Sequence, residues 1–210
     1  MVCEKPTASA SLLGLKTDHD RVHLNTIVTI GGQDYLVDTS HGPSGSPYPI
    51  PLVHDQPAVD IWPRERRLVY DSLPGAANSK PKWWRLQIRQ SSTQPWLDVW
   101  AFTETEWQDH DFRILRVAYQ HLGTGWAQPK PACFLTQFEE EKPVGYLLMV
   151  GDEVRRNYKG ETKVIHKLYT EADRVNVLAD EFNVTVTPEE QTQISGMAAE
   201  LEEEDFNYYD

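Results

Sequence analysis

Two successive glycines, Gly31-Gly32, separate a run of apolar and β-branched residues, Arg21 to Ile30, from a second one, Tyr35-Leu36-Val37. A glycine pair supplies the positive φ angles that a tight turn between antiparallel strands requires, so the segment reads as a hairpin. With a two-residue turn, Ile30 faces Gln33, Asn25 faces Asp38 and His23 faces Ser40. Side chains alternate along a strand. His23, Asn25, Asp38 and Ser40 therefore share one face, and Val22, Leu24, Val28, Tyr35 and Val37 share the other. A four-residue turn would shift the pairing by two and leave the faces unchanged.

Around this hairpin the chain is β-rich with a helical end. The first 20 residues, polar and small apart from Leu12, Leu13 and Leu15, read as an extended lead-in. Residues 42 to 63 carry Gly42, Pro43, Gly45, Pro47, Pro49, Pro51 and Pro57, a density that excludes a central strand or helix interior and predicts a long ordered loop. Strands are predicted at Arg67–Tyr70, Trp83–Arg89 and Trp96–Phe102. In the second of these, Trp84, Leu86 and Ile88 alternate with Arg85, Gln87 and Arg89. A short helix or turn is predicted over 104–118 and a loop over Gly123–Pro131. Two further strands follow at Gly145–Val150 and Lys163–Leu168, joined through Asn157–Gly160. A helix starts near Thr170, where Thr170 and Asp173 form a capping-box pattern, with Val175, Leu178, Ala179 and Phe182 as its buried stripe. A second helix, 187–204, has Thr187 as N-cap and Pro188 at its first position.

Composition narrows the function classes. The formal charge is −12, and residues 189 to 210 hold eight acids and no Lys or Arg, which reads as a solvated helix end or tail on a body of −4. Nucleic acid is excluded as a partner because no basic stretch is denser than Arg64, Arg66 and Arg67. No apolar run reaches the roughly 18 residues of a membrane span, and the N-terminus lacks a signal-peptide pattern, so a cytoplasmic protein is expected. Two cysteines, Cys3 and a Cys133 in a loop-like stretch, make no disulfide framework, and no metal site is indicated.

The polar end of the hairpin is the candidate site. His23 and Asp38 are diagonal neighbours within reach. An aspartate beside an imidazole fixes its tautomer, stabilises the imidazolium and leaves the second nitrogen as a general base. The same pair also suits a purely structural hydrogen bond at a hairpin end.

The stretch from His23-Leu24-Asn25-Thr26 through Gly31-Gly32 to Tyr35-Leu36-Val37-Asp38 resembles the histidine and aspartate segment of the arylamine N-acetyltransferases, including the interval of 15 between the two polar residues. Gly42 to Leu52 resembles the Gly/Pro-rich loop after the family's aspartate. Residues 163 to 187, with Arg174-Val175-Asn176-Val177-Leu178 and Glu181-Phe182-Asn183-Val184, resemble its last strand and C-terminal helix. The resemblance spans most of residues 20 to 187. It implies an α+β fold: an antiparallel β-barrel followed by an α/β lid, without the family's N-terminal helical bundle. The expected domains are a lead-in over 1–20, a β-barrel-like domain over 21–120, an α/β lid over 121–188 and an acidic helix or tail over 189–210. By resemblance, His23 is the triad's imidazole and Asp38 its orienting acid, with Asn25, Ser40 and His41 as further pocket groups.

The family's cysteine lies in an Arg-Gly-Gly-x-Cys motif upstream of the histidine, and no Arg-Gly-Gly occurs here. Cys3, ahead of a glutamate, and Cys133, near where the family's lid contacts CoA, are the two thiols. The family's Gly-Phe-Gly after the aspartate is replaced by Ser40-His41-Gly42. Three functions follow. The first is a small-molecule enzyme of secondary metabolism that uses His23 and Asp38 for acid/base or polarising work, such as a cofactor-free cyclisation or cycloaddition. The second is an acetyl-CoA-dependent arylamine N-acetyltransferase fragment or subunit. The third is a non-catalytic binding module. The first is favoured because histidine and aspartate are retained while the nucleophile motif is not. A small-molecule substrate is expected, and a homodimer or helical partner would replace the bundle.

Overall fold

Eight antiparallel strands form the sheet of the first of two units, residues 1–124 and 125–210. The computed structural model describes residues 3–11, 21–39, 41–122 and 130–201, with 3–11, 21–24, 115, 116 and 118–122 described by backbone alone. The strands of the first unit are β1 (Cys3–Ser11), β2 (Arg21–Ile30), β3 (Gln33–Val37), β4 (Ile50–Pro51), β5 (Ala58–Val59), β6 (Glu65–Asp71), β7 (Trp83–Arg89) and β8 (Leu97–Phe102). Their order in the sheet is β4-β3-β2-β1-β8-β7-β6-β5.

The hairpin forms in the expected register, from Ile30 opposite Gln33 to Thr26 opposite Val37, with Gly31 and Gly32 at φ 60° and 85°. Its inward face carries Asn25, Ile27 and Leu36, while Val28, Tyr35 and Val37 on the other side are half-buried. The side of β2 and β3 to which the polar positions belong therefore looks into the core. That core joins Ile27 and Leu36 to Leu68, Leu86, Trp100 and Phe102. Full burial of each such side chain contributes roughly 1.5–3 kcal/mol.

Three features of this unit differ from the sequence expectations. Residues 3–11 are a strand, lying between β2 and β8, rather than a lead-in. β7 buries Trp84 and Leu86 as expected, yet its other face is also covered. There Gln87 donates to Asp98 and accepts from Arg67 at 2.9 and 2.8 Å, and the guanidiniums of Arg67 and Arg89 each lie over the Trp96 ring, 4.4 Å from its centre. The helix expected over 104–118 is α1 (Asp109–Leu122). No ladder among the described residues joins β4 to β5, so the expectation of a barrel is met as far as an eight-stranded antiparallel sheet. A bridge between His54 and Leu68, with the Asp55 N–H donating to the Leu68 carbonyl at 2.7 Å, carries the segment after β4 onto β6.

The second unit is a four-stranded antiparallel meander, β9 (Ala132–Glu139), β10 (Lys142–Val150), β11 (Glu153–Tyr158) and β12 (Glu161–Lys167). It is followed by α2 (Glu171–Phe182) and a short α3 (Pro188–Gln191). The sequence pattern predicts only β10 and β12. Leu147, Met149 and Val154 pack with Phe182 of α2 and with Leu168. Gly145 is required where β10 meets β11, because a Cβ there would lie 2.1 Å from the Asn157 carbonyl oxygen. The Thr170–Asp173 capping box is present. Phe182 of the expected stripe is buried, Ala179 is exposed, and Arg174 is buried instead. The Arg174 guanidinium binds both Glu171 oxygens, at 2.6 and 2.8 Å, and the Ala199 carbonyl at 3.2 Å. The second C-terminal helix ends at Gln191 rather than 204, passing into a 3-10 turn and then Gly196 at φ 77°. The chain through Leu201 is tied back by the Leu201 N–H donating to Glu171 at 2.7 Å. No helix among the described residues is long and apolar enough to cross a membrane.

Candidate active site

One end of the eight-stranded sheet gathers the C-terminus of β3, the N-termini of β2, β6 and β8, and the C-terminus of β7, because neighbouring strands run in opposite directions. Asp38 follows β3 at this end, and its side chain is 5% exposed. The Asp38 carboxylate lies 3.7 Å from Nδ1 of His41. The His41 ring in turn lies on Trp100, with centroids 5.0 Å apart, and Trp100 on Phe102 at 5.4 Å. Asp38 and His41 are thus brought together against an aromatic wall of the core.

Asn25 is 1% exposed, and neither its amide oxygen nor its amide nitrogen has a hydrogen-bond partner among the described residues. An unsatisfied buried amide costs about 1–3 kcal/mol, so a fold that keeps one has a use for it or fills it with a ligand. His23 is two residues from Asn25 on β2, its backbone opposite Ser9 of β1. Its side chain and all of Ser40 lie outside the described residues.

The loop after Asp38 is fixed by a buried ion pair. A 3-10 turn, Gly42–Ser44, starts at His41. The Arg64 guanidinium donates to the carbonyls of Pro43 and Gly45, the second at 3.1 Å. The same group holds Asp60 through both carboxylate oxygens, at 2.8 and 2.9 Å. Burial pushes the Asp60 carboxyl above its ordinary range, with Arg64 opposing that shift. Arg66 is buried beside this pair, and burial lowers its pKa, with Asp60 opposing and Arg64 adding to the fall.

The backbone of Cys3 stands away from this end along β1. Cys3 pairs with Thr29 while Ser9 pairs with His23, so six strand residues, about 20 Å, separate Cys3 from the position opposite the histidine. Cys133 lies on β9 opposite Met149, in a strand rather than a loop, where it packs against the core of the second unit. Burial raises its thiol pKa, the reverse of what a nucleophile needs. A groove of about 590 Å³ in the second unit contains Arg156, Tyr158 and Lys163. Two of its polar groups are paired, Tyr158 donating to Glu139 at 2.6 Å and the Arg156 Nη2 to Glu181 at 3.4 Å, while the Arg156 Nε has no partner among the described residues. Among the described residues no three His, Cys, Asp or Glu side chains cluster as metal ligands.

The model of the N-acetyltransferase family matches residues 8–191. The chain belongs to the arylamine N-acetyltransferase family. Among curated relatives of this family member, N-malonyltransferase FDB2 of Fusarium pseudograminearum is 26% identical over 187 residues, covering 80% of this chain and 52% of the relative. The N-malonyltransferase FDB2 of Gibberella moniliformis is 28% identical over 189 residues, covering 82% and 52%. The chain therefore spans about half the length of the curated relatives it matches. Solved family structures share the fold. The arylamine N-acetyltransferase of Salmonella typhimurium superposes with a TM-score of 0.72 at 14% identity, over 89% of this chain and 62% of that one. The Mycobacterium marinum enzyme in complex with CoA gives 0.68 at 17%, over 87% and 63%. The scaffold is that of an acyltransferase.

Asp60, Arg64 and Arg66 were not singled out as site residues by the sequence pattern. The available signal was an Asp and an Arg four apart around a Trp-Pro, followed by Arg66 and Leu68 alternating onto one strand face.

Proposed function

We propose that this chain carries the acid/base half of an N-acyltransferase site that moves a malonyl-type acyl group from CoA to an aromatic amine. The observation that carries the reading is the nearly buried Asp38 carboxylate, at the end of the β2–β3 hairpin and fifteen residues after His23, in a chain of this family. The names of the curated relatives support acyl transfer and the malonyl group. In the transfer, the amine nitrogen forms a C–N bond to the acyl carbonyl carbon and the thioester C–S bond breaks. The amine proton passes through the imidazole of His23 to the CoA sulfur, so that the products are an amide and free CoA. Asp38 holds the imidazolium that forms, and His41 is a second imidazole on the same carboxylate. On this reading the sheet curls into the family's barrel, consistent with the His54–Leu68 bridge. A homodimer or helical partner would complete the site.

The placement of Cys133 favours a second reading, acid/base chemistry without a thiol, such as the cofactor-free cyclisation expected from sequence. The two are separated by incubating the chain with malonyl-CoA or acetyl-CoA and an aromatic amine, then measuring amide product and intact protein mass. Amide formation that falls at least ~100-fold in Asp38→Asn and His23→Ala supports transfer, within the range expected for a general base. No acylated amine with either donor overturns it.

A further inference from the structure

Two buried guanidiniums, Arg64 and Arg66, stand beside one buried carboxylate, Asp60. Arg66, the second residue of β6, is 5% exposed and alternates with Leu68, so it points inward. Its Nε has no hydrogen-bond partner among the described residues, and none of their carboxylates lies within ion-pair distance of it. The neighbouring charge is Asp60, and Arg64 already engages both of its oxygens. Asp60, Arg64 and Arg66 together carry a net charge of +1. A buried guanidinium that must share its counter-charge is costly, and an anion delivered to it regains part of that cost.

The location is the site's own end. Arg64, two residues before Arg66, grips the loop at Pro43 and Gly45 that follows His41. His41, three residues after Asp38, lies on Trp100, whose row in the ladder runs through Leu86 to Leu68, two residues along β6 from Arg66. Leu68, one alternation from Arg66, shares its core with Ile27, Leu36 and Trp100.

We infer that Arg66 receives the free carboxylate of a malonyl-type acyl group, selecting a carboxyacyl donor over an acetyl donor. This rests on the acyl-transfer reading and assigns the residue that discriminates within it. A planar guanidinium binds a carboxylate through two parallel N–H donors, and the Arg66 Nε is uncommitted among the described residues. One net positive charge matches a monoanion. A CoA phosphate, carrying more charge, would meet Asp60 as well. Asn25, with its amide nitrogen and oxygen unpaired, is a second polar group on an inward face of the same sheet.

The test is calorimetric titration of the 210-residue chain with malonyl-CoA, acetyl-CoA and CoA, repeated on Arg66→Met and Arg66→Lys, with circular dichroism of each variant. The native chain is expected to bind malonyl-CoA about tenfold or more tightly than acetyl-CoA, the order of effect of a charged hydrogen-bonded pair. In Arg66→Met the ratio falls to about one while acetyl-CoA affinity changes less than about twofold; Arg66→Lys keeps part of the preference. Equal binding of the two thioesters by the native chain overturns the proposal whether or not a variant folds. A preference that survives Arg66→Met overturns it too, as does an equal loss for all three ligands in a folded variant, which would mark a phosphate contact. If neither thioester binds the native chain, the acyl-transfer reading itself fails and takes the assignment with it.

Discussion

Arg64 is the side chain from which the loop after β3 hangs. It joins Asp60 to two carbonyls of the loop that begins at His41, all from a position 6% exposed. Removing one partner of a buried pair leaves a desolvated charge, which costs about 3–5 kcal/mol. Arg64→Met is therefore expected to lose that amount in urea unfolding, and Asp60→Asn in the same chain to restore part of it by removing the stranded carboxylate. A loss below about 1 kcal/mol would show that the pair does not anchor the loop. Little of this could be read in advance. The sequence shows Arg64, Arg66 and Arg67 as a short basic cluster, but whether each points inward depends on the phase of β6. Only Arg64 and Arg66 are buried deeply, while Arg67 turns outward to Asp55.

At the scale of elements, α2 is the helix whose ends the sequence marks most clearly. Thr170 accepts from the Asp173 N–H at 3.1 Å, and the Asp173 carboxylate accepts from the N–H groups of Tyr169 and Thr170 at 3.0 and 2.9 Å. Those backbone donors hold the Asp173 carboxyl below its ordinary 3.8. A carboxyl whose pKa is lower folded than unfolded stabilises the fold above the unfolded value and loses that contribution as pH falls through the folded one. Thr170→Ala should cost about 1 kcal/mol at neutral pH, measured by denaturant melting of the α2 signal. Asp173→Asn should flatten the stability decline below about pH 4, the unfolded range of an aspartate; an unchanged acid limb would show that this cap does not titrate. The hairpin was legible to the residue because a glycine pair fixes both turn and register. β1 was not, since Pro6 and small residues from Thr7 to Ser11 carry no strand pattern and gain their place by pairing on both sides. β11 was missed because its buried residues, Val154 and Asn157, are three apart across an irregularity at Val154 and Arg155, which breaks the period of two. The C-terminal helix was overrun because its cap was strong while its stop, near Gly196, lay beyond a polar stretch with no apolar stripe to weigh against it.

For the whole molecule the dominant fact is a charge of −12, which on the acyl-transfer reading faces a polyanionic donor. The local +1 of Asp60, Arg64 and Arg66 would hold a carboxylate only after an acyl-CoA has approached against the chain's long-range field. Fields of this kind act over a Debye length, about 30 Å at 0.01 M salt and about 10 Å at 0.1 M. Screening should therefore accelerate association, the reverse of the usual steered encounter. Residues 202–210 contain five acids, Glu202, Glu203, Glu204, Asp205 and Asp210, and no base, so removing them changes the formal charge from −12 to −7. Stopped-flow association of malonyl-CoA is expected to speed up several-fold between about 0.01 and 0.15 M salt. The chain truncated after Leu201 should start faster at low salt and rise less. Because the truncation spares Arg64, Arg66 and Asp38, it should leave the preference for malonyl-CoA over acetyl-CoA intact. An association rate that falls with added salt would mean that a local cationic surface, rather than the net charge, governs the approach.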